Sequence, residues 1–245
     1  MHEVLKFEDV NQCMDVAAKF ICKHAVASIE KHGVFTFALA GGNTPRSLYR
    51  ALAKLPYRND MPWQKTQVFW GDERYVPNDH PDNNFKMAYE EMLSGLSLDE
   101  HQIHRVPVEE PTVEKAADAY EKDLRQFFDR MAGEDEERRN DPFPRFDLIL
   151  LGMGADGHIA SLFPESPALK EKKKWVAVEK KPGAPPHVPR ITLTVPVINN
   201  AACVTFLVTG KEKHELVSRI ADGIEGAPPA AQISPVGSLV WFISS

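Results

Sequence analysis

Cysteine is scarce: three residues, Cys13, Cys22 and Cys203, stand in a chain of 245. An odd number so widely spaced excludes a disulfide framework. The opening MHEVLKFEDV holds no apolar signal core, so a reducing cytosol is the expected compartment. Cys13 and Cys22 fall in a helical pattern and Cys203 in an apolar strand, where each reads as a small buried hydrophobe. Long hydrophobic runs are also missing. The longest, FDLILLGMG and AACVTFLV, fall well short of the roughly 20 residues that span a bilayer, so no membrane role is expected. Nor is there a surplus of positive charge: 29 Lys+Arg against 35 Asp+Glu leave a net −6. The one basic stretch is Lys170–Lys174. That excludes a reader of duplex phosphates, whereas a site for one anion needs only a few local cations. With no internal repeat and no coiled-coil heptads, a scaffold role has no support.

What is present is an alternation of strand-length apolar runs with helical patterns, the mark of a largely parallel sheet covered on both faces. The expectation is an α/β fold, a single domain over residues 1–245, with a mostly parallel, Rossmann-like doubly wound sheet flanked by helices. The pattern predicts a helix over Val10–Lys31 ending at Gly33, a buried strand Val34–Ala40, and a helix from Pro45 to about Lys54 with Thr44 as its N-cap. Further strands are expected at Thr66–Trp70, Ile103–Val106, Phe146–Leu151, Trp175–Val178, Ile191–Val195 and Val204–Val208. Helices are expected near Phe85–Leu93 and over Val113–Met131 and Lys211–Ala221. Gly133–Asp141 reads as a charged, solvated loop and the Pro-rich Lys181–Pro189 as a mobile one.

The glycine-rich and polar segments all follow expected strand ends: Gly41–Thr44, Gly71–Arg74, Gly152–His158 and Gly210–Lys213. In open parallel sheets ligands bind at that edge, although every α/β protein must also place turns there. Gly41-Gly42-Asn43-Thr44 can aim backbone N–H groups at an anion beside a helix N-terminus, or can simply be a tight turn. It lacks the Walker spacing. Gly152-x-Gly154-x-x-Gly157 matches the dinucleotide fingerprint, with Glu179 about 20 residues on. Pro164 and Pro167, however, deny it the full helix that fingerprint needs. Asp156-Gly157-His158 offers instead an imidazole with a carboxylate two residues away, suited to proton transfer near neutrality. Asp72 and Arg74 can orient a substrate hydroxyl and steady an oxyanion, or belong to a solvated charge cluster. Arg190 and Lys213 are phosphate partners or surface cations. His101 and His104, and His214-Glu215, lack metal-site spacing, and no G-x-S-x-G elbow makes Ser161 a nucleophile.

Four blocks, AGGNTPRSLY, FWGDERYVPNDHPDNNF, FDLILLGMGADGHIASLFPES and PRITLTVPVINNA…FLVTGKEK, together resemble the 6-phosphogluconolactonase family. They run in this order from about residue 38 to 213. The related glucosamine-6-phosphate deaminases share the D-G-H core but continue with an acidic N-E-P segment, where this chain has Ser161-Leu162-Phe163-Pro164. The resemblance implies hydrolysis of a sugar-phosphate lactone without metal or organic cofactor, by a cytoplasmic enzyme, monomer or weak homodimer, with neither nucleic acid nor membrane as partner. It implies His158 as general base and Arg74 as charge stabiliser; in the mechanism expected from these, Asp156 and Asp72 orient His158 and the sugar hydroxyls. For the phosphate it implies Gly41, Gly42, Asn43 and Thr44 with Lys213 and Arg190, the last favoured over Lys181 because the Lys-Pro-Pro-x-x-Arg stretch is lengthened here. Asn43 stands where serine is usual. A deaminase acting on an amino sugar, and a sensor that binds sugar phosphates without converting them, are the alternatives.

Overall fold

The computed structural model describes residues 2–133, 141–221 and 228–245. Its strands are β1 (His2–Phe7), β2 (Phe35–Leu39), β3 (Thr66–Trp70), β4 (Asp72–Arg74), β5 (Ile103–His104), β6 (Leu148–Leu151), β7 (Val176–Glu179), β8 (Arg190–Leu193), β9 (Cys203–Thr209) and β10 (Ser238–Ser244). Its α-helices are α1 (Val10–His32), α2 (Asn43–Leu52), α3 (Tyr57–Asp60), α4 (Asn84–Glu91), α5 (Val113–Ala132), α6 (Val195–Asn199) and α7 (Lys211–Ala221). Seven strands form one sheet in the order β1-β10-β9-β6-β2-β3-β5, every pairing parallel. The expected mostly parallel α/β sheet is therefore what forms.

Successive strand residues point to opposite faces, and here both faces are apolar, so each strand contributes alternately to two cores. Phe37, Leu39, Val68, Trp70, Leu148 and Leu150 join α1 and α2 on one side. Ala38, Phe69, Ile149, Leu151, Val204 and Phe206 join α5 on the other. Helix α1 begins at Asp9, whose carboxylate accepts the Gln12 amide, and stops at Gly33, where a φ of 87° turns the chain.

Several elements differ from expectation. The edge strand β1 and the strand β10 beside it were not foreseen: His2–Phe7 mixes charged and apolar residues as an edge strand does, whereas the apolar run Leu239–Ile243 carried the strand signal and was overlooked. Gly71 is followed at once by β4, which pairs antiparallel with β8, itself antiparallel to β7, to make a second, three-stranded sheet. The strand expected to run to Val195 ends at Leu193, because Thr194 opens α6 with Pro196 in its first turn. Helix α2 begins at Asn43 with Gly42 in the capping position, not Thr44. A φ of 100° at Gly42 bends the chain straight into the helix, and Pro45 lies in the first turn, where a missing N–H costs nothing. No α-helix follows Gly157 among the described residues before α6; Ile159 and Leu162 instead form an isolated bridge. Most of the expected charged loop, residues 134–140, lies outside the described residues.

Candidate active site

The order of the large sheet reverses between the neighbours β2 and β6. From β2 the chain proceeds to β3 and β5; from β6 it proceeds the other way, to β9 and β10. Turns leaving adjacent strands in opposite directions open a crevice at their C-terminal ends. Gly41–Thr44 leaves β2, and Gly152–His158 leaves β6.

Two tyrosines hold the rim of this crevice. The Tyr49 hydroxyl, from α2, donates to the Ala40 carbonyl at 2.7 Å and accepts the Ala40 amide at 2.9 Å. The Tyr120 hydroxyl, from α5, does the same at Trp70, donating to its carbonyl at 2.8 Å and accepting its amide at 3.0 Å. Each strand is thus clamped at the residue before its functional glycine, Gly41 or Gly71. Burial drives both phenols far above their ordinary pKa, so both stay neutral.

At the β6 turn, His158 Nδ1 lies 2.5 Å from Asp156 Oδ1, which also accepts the His158 amide at 3.1 Å. Partial burial pushes the Asp156 carboxyl up, but the hydrogen bonds from His158 outweigh it and hold it below the usual carboxylate range. Gly154 clears the space for the imidazole: a Cβ there would stand 2.2 Å from the ring's Cε1 and Nδ1. The Phe163 ring stands 4.5 Å from that of His158, and the Arg190 guanidinium lies over the same phenyl ring at 5.3 Å.

At the β3 end, Asp72 is buried and its Oδ2 accepts the Ser161 hydroxyl at 2.6 Å, joining the β3 and β6 turns. Ser161 is therefore a bridge. Arg74 donates through Nη1 to the Asp82 carbonyl at 2.8 Å, while its buried Nε has no protein partner. Between them Glu73, 1% exposed, accepts backbone amides of Arg74, Asn84 and Phe85, and burial pushes its carboxyl up to about 7 in spite of them. Asn84 donates to the Asp72 carbonyl at 2.9 Å and lies against Gly41.

The Thr44 hydroxyl meets the Thr209 hydroxyl at 2.7 Å, joining the β2 turn to the end of β9. Lys213 sits in the first turn of α7, and Leu216 of the same helix packs beside Gly157. Arg190 pairs with Arg74 in the β4–β8 register. It is 2% exposed, and Nη2 donates to the Ala184 and Pro186 carbonyls at 2.7 and 3.1 Å. Burial lowers its guanidinium pKa from the ordinary value. One side of Arg190 therefore fastens the Lys181–Pro189 passage. His104, by contrast, contacts Asp123 at 2.8 Å and Gln67 at 3.0 Å, and stacks on Phe69.

The contacts bring the β2, β3 and β6 turns together around Asp72, Asn84 and Ser161, with the β9 turn attached through Thr44 and Thr209. Sequence reasoning did not single out Tyr49, Tyr120, Glu73, Asn84 or Phe163. Four of them lay within blocks already under scrutiny, Tyr49 in AGGNTPRSLY, Glu73 and Asn84 in FWGDERYVPNDHPDNNF and Phe163 in FDLILLGMGADGHIASLFPES, and only Tyr120 lay outside them; what marks all five is a contact across a turn or between elements that no local pattern encodes.

Residues 8–241 match the family model described as glucosamine-6-phosphate isomerases/6-phosphogluconolactonase. A 6-phosphogluconolactonase of Synechocystis sp. is 44% identical over 88% of this chain and 84% of its own. The crystal structure of 6-phosphogluconolactonase from Thermotoga maritima, 31% identical, superposes with a TM-score of 0.84 over all of both chains. The three-dimensional structure of the Trypanosoma brucei 6-phosphogluconolactonase, 27% identical, gives 0.83 over all of this chain and 96% of its own. A matched model over nearly the whole length, and relatives that carry the same fold, make this chain a member of the glucosamine-6-phosphate isomerase/6-phosphogluconolactonase family.

Proposed function

We propose that the chain hydrolyses 6-phospho-D-glucono-1,5-lactone to 6-phosphogluconate, the second step of the oxidative pentose phosphate pathway. The observation that carries this reading is the Asp156–His158 pair in its glycine-cleared space at the sheet's switch point. An ionised Asp156 only accepts, so Nδ1 of the neutral imidazole keeps its proton and Nε2 presents a free lone pair. Nε2 takes a proton from water as the water oxygen bonds to C1, and the carbonyl oxygen becomes an oxyanion that Arg74 steadies. Collapse of the tetrahedral centre breaks the bond from C1 to the ring oxygen, and His158 returns the proton to that oxygen. A lactone is an activated ester, so no covalent nucleophile is required.

Asp72, fixed by Ser161, orients the sugar hydroxyls. The Gly41, Gly42, Asn43 and Thr44 turn, at the positive end of α2, holds the phosphate with Lys213 and Arg190. Binding energy from that remote phosphate places C1 against His158. Length and the lack of a linker pattern support one domain, cysteine usage supports a reducing cytosol, and the assembly proposed is a monomer or weak homodimer. No helix among the described residues is long and apolar enough to cross a membrane.

The test is acid release from freshly generated lactone in weak buffer, wild type beside His158→Ala. Acceleration over the uncatalysed rate that disappears in a folded His158→Ala variant is the expected result. No acceleration by the wild type overturns the activity, and near-normal kcat in His158→Ala overturns the assignment of the base.

A further inference from the structure

Side chains alternate along a strand, so Glu73 in β4 points away from the side that Asp72 and Arg74 occupy. It turns toward α4. Its Oε1 accepts the Arg74 and Asn84 amides, both at 2.7 Å, and its Oε2 accepts the Phe85 amide at 2.8 Å. Asn84 and Phe85 are the first two residues of α4. The third amide, that of Lys86, goes to the side chain of Asn83 at 2.8 Å. A helix start leaves four amides without intrahelical partners, and here two of them end on a carboxylate from another segment.

Capping α4 does not by itself require Glu73, since Asn83 already stands at the N-cap. What Glu73 adds is a link between the Arg74 backbone and the helix. The helix returns to the site through the Asn84 side chain, whose Nδ2 donates to the Asp72 carbonyl. The Asn84 side chain fills the space beside Gly41, its Oδ1 2.0 Å from where a Cβ on that glycine would be. A continuous set of contacts therefore joins Arg74, Glu73, the start of α4, Asn84 and the Gly41–Thr44 turn.

We propose that Glu73 is a positioning residue of the hydrolytic site, fixing the Arg74 main chain to the start of α4 and so setting the distance between Arg74 and the Gly41–Thr44 turn. This rests on the lactone-hydrolase reading. In that reading Arg74 acts at C1 and the turn acts at the phosphate, so an error in their spacing misplaces the reacting carbon.

Glu73→Gln keeps the size of the side chain but turns an NH2 group toward at least one of the three amides. Asn83→Ala is the control, because it removes a cap from the same helix without touching Arg74. Both are assayed with wild type on fresh lactone at pH 8, well below their melting temperatures. The expected result is a fall in kcat of about tenfold or more for Glu73→Gln, since misplacement by about 1 Å can cost 10²-fold, with Asn83→Ala within about twofold of wild type. If wild type turns over and Glu73→Gln keeps its kcat, or both variants fall alike, the proposal is overturned alone. If wild type shows no turnover, the functional reading fails and takes the proposal with it. Should Glu73→Gln not fold, Asn84→Ala cuts the same link at its far end: a drop in kcat/KM supports the proposal and an unchanged value overturns it.

Discussion

Replacing Gly154 by alanine places one methyl group against the imidazole of His158, the base in the proposed mechanism. The added Cβ would lie 2.2 Å from Cε1 and Nδ1 of His158 and 2.7 Å from Oδ1 of Asp156. Ordinary contact between such atoms is about 3.5 Å, so the ring must retreat by about 1 Å, and the Asp156 carboxylate must shift as well. Phe163 blocks one direction of escape, its ring being 4.5 Å away. The imidazole is about one-fifth exposed and can swing toward solvent, which limits the folding penalty to about 1 kcal/mol, the low end for overpacking. Catalysis has no such relief, because a base displaced by about 1 Å can lose 10²-fold in rate, equivalent to about 2.7 kcal/mol of barrier. Gly152→Ala is the matched control: in the same turn, a Cβ at Gly152 meets nothing within 4 Å. Neither glycine has a positive φ, so backbone strain does not distinguish the two variants. The assay is kcat and KM for lactone hydrolysis, with thermal unfolding of both proteins. Gly154→Ala should lose about 10²-fold in kcat while Gly152→Ala stays within about twofold of wild type. A Gly154→Ala protein with the kcat of Gly152→Ala would refute the idea that this cleared space seats the base.

Gly41→Ala should raise KM for the lactone by about tenfold or more, since its Cβ would fall 2.0 Å from Oδ1 of Asn84 and push apart α4 and the turn proposed to hold the phosphate; saturation kinetics check this. Glu73 predicts a stability trend with pH. Burial lifts its folded pKa to about 7 from the ordinary glutamate value of 4.5, so the folded state holds the proton more tightly. The contribution is therefore greatest below about pH 4.5 and is lost as pH rises through 7, by about 3 kcal/mol in all. Denaturant unfolding of wild type and Glu73→Gln between pH 4.5 and 8 should show that slope in the difference between them, and parallel curves would refute it. Tyr120→Phe leaves the Trp70 amide and carbonyl without their partner and should cost about 1–3 kcal/mol in the same unfolding assay.

The large sheet was legible because each of its central strands is apolar on both faces, and runs such as Phe35–Leu39 and Leu148–Leu151 have no other place to go. The second sheet was not, since a strand as short as Asp72-Glu73-Arg74 carries no periodicity and is set by its partner β8. The start of α2 was misplaced for a related reason: Thr44 has the chemistry of an N-cap, but its hydroxyl is engaged by Thr209, 165 residues away. Candidate catalytic residues were legible as types at strand ends. Their supports were not, because Glu73, Asn84 and Phe163 are ordinary residues until the fold brings an amide, a glycine or an imidazole against them.

The tyrosine clamps at Ala40 and Trp70 make two aromatic positions less replaceable than the core around them. An interior leucine can be exchanged for methionine at modest cost, because any apolar shape of similar volume restores the contact. Tyr49 and Tyr120 each close a donor and an acceptor of the main chain at once, and no other side chain of that length carries a single hydroxyl at its tip. Substitution among these buried aromatics should thus be constrained by main-chain valence rather than by volume, and two hydroxyl groups outside the reaction itself set how far the catalytic turns can drift as the rest of the core varies.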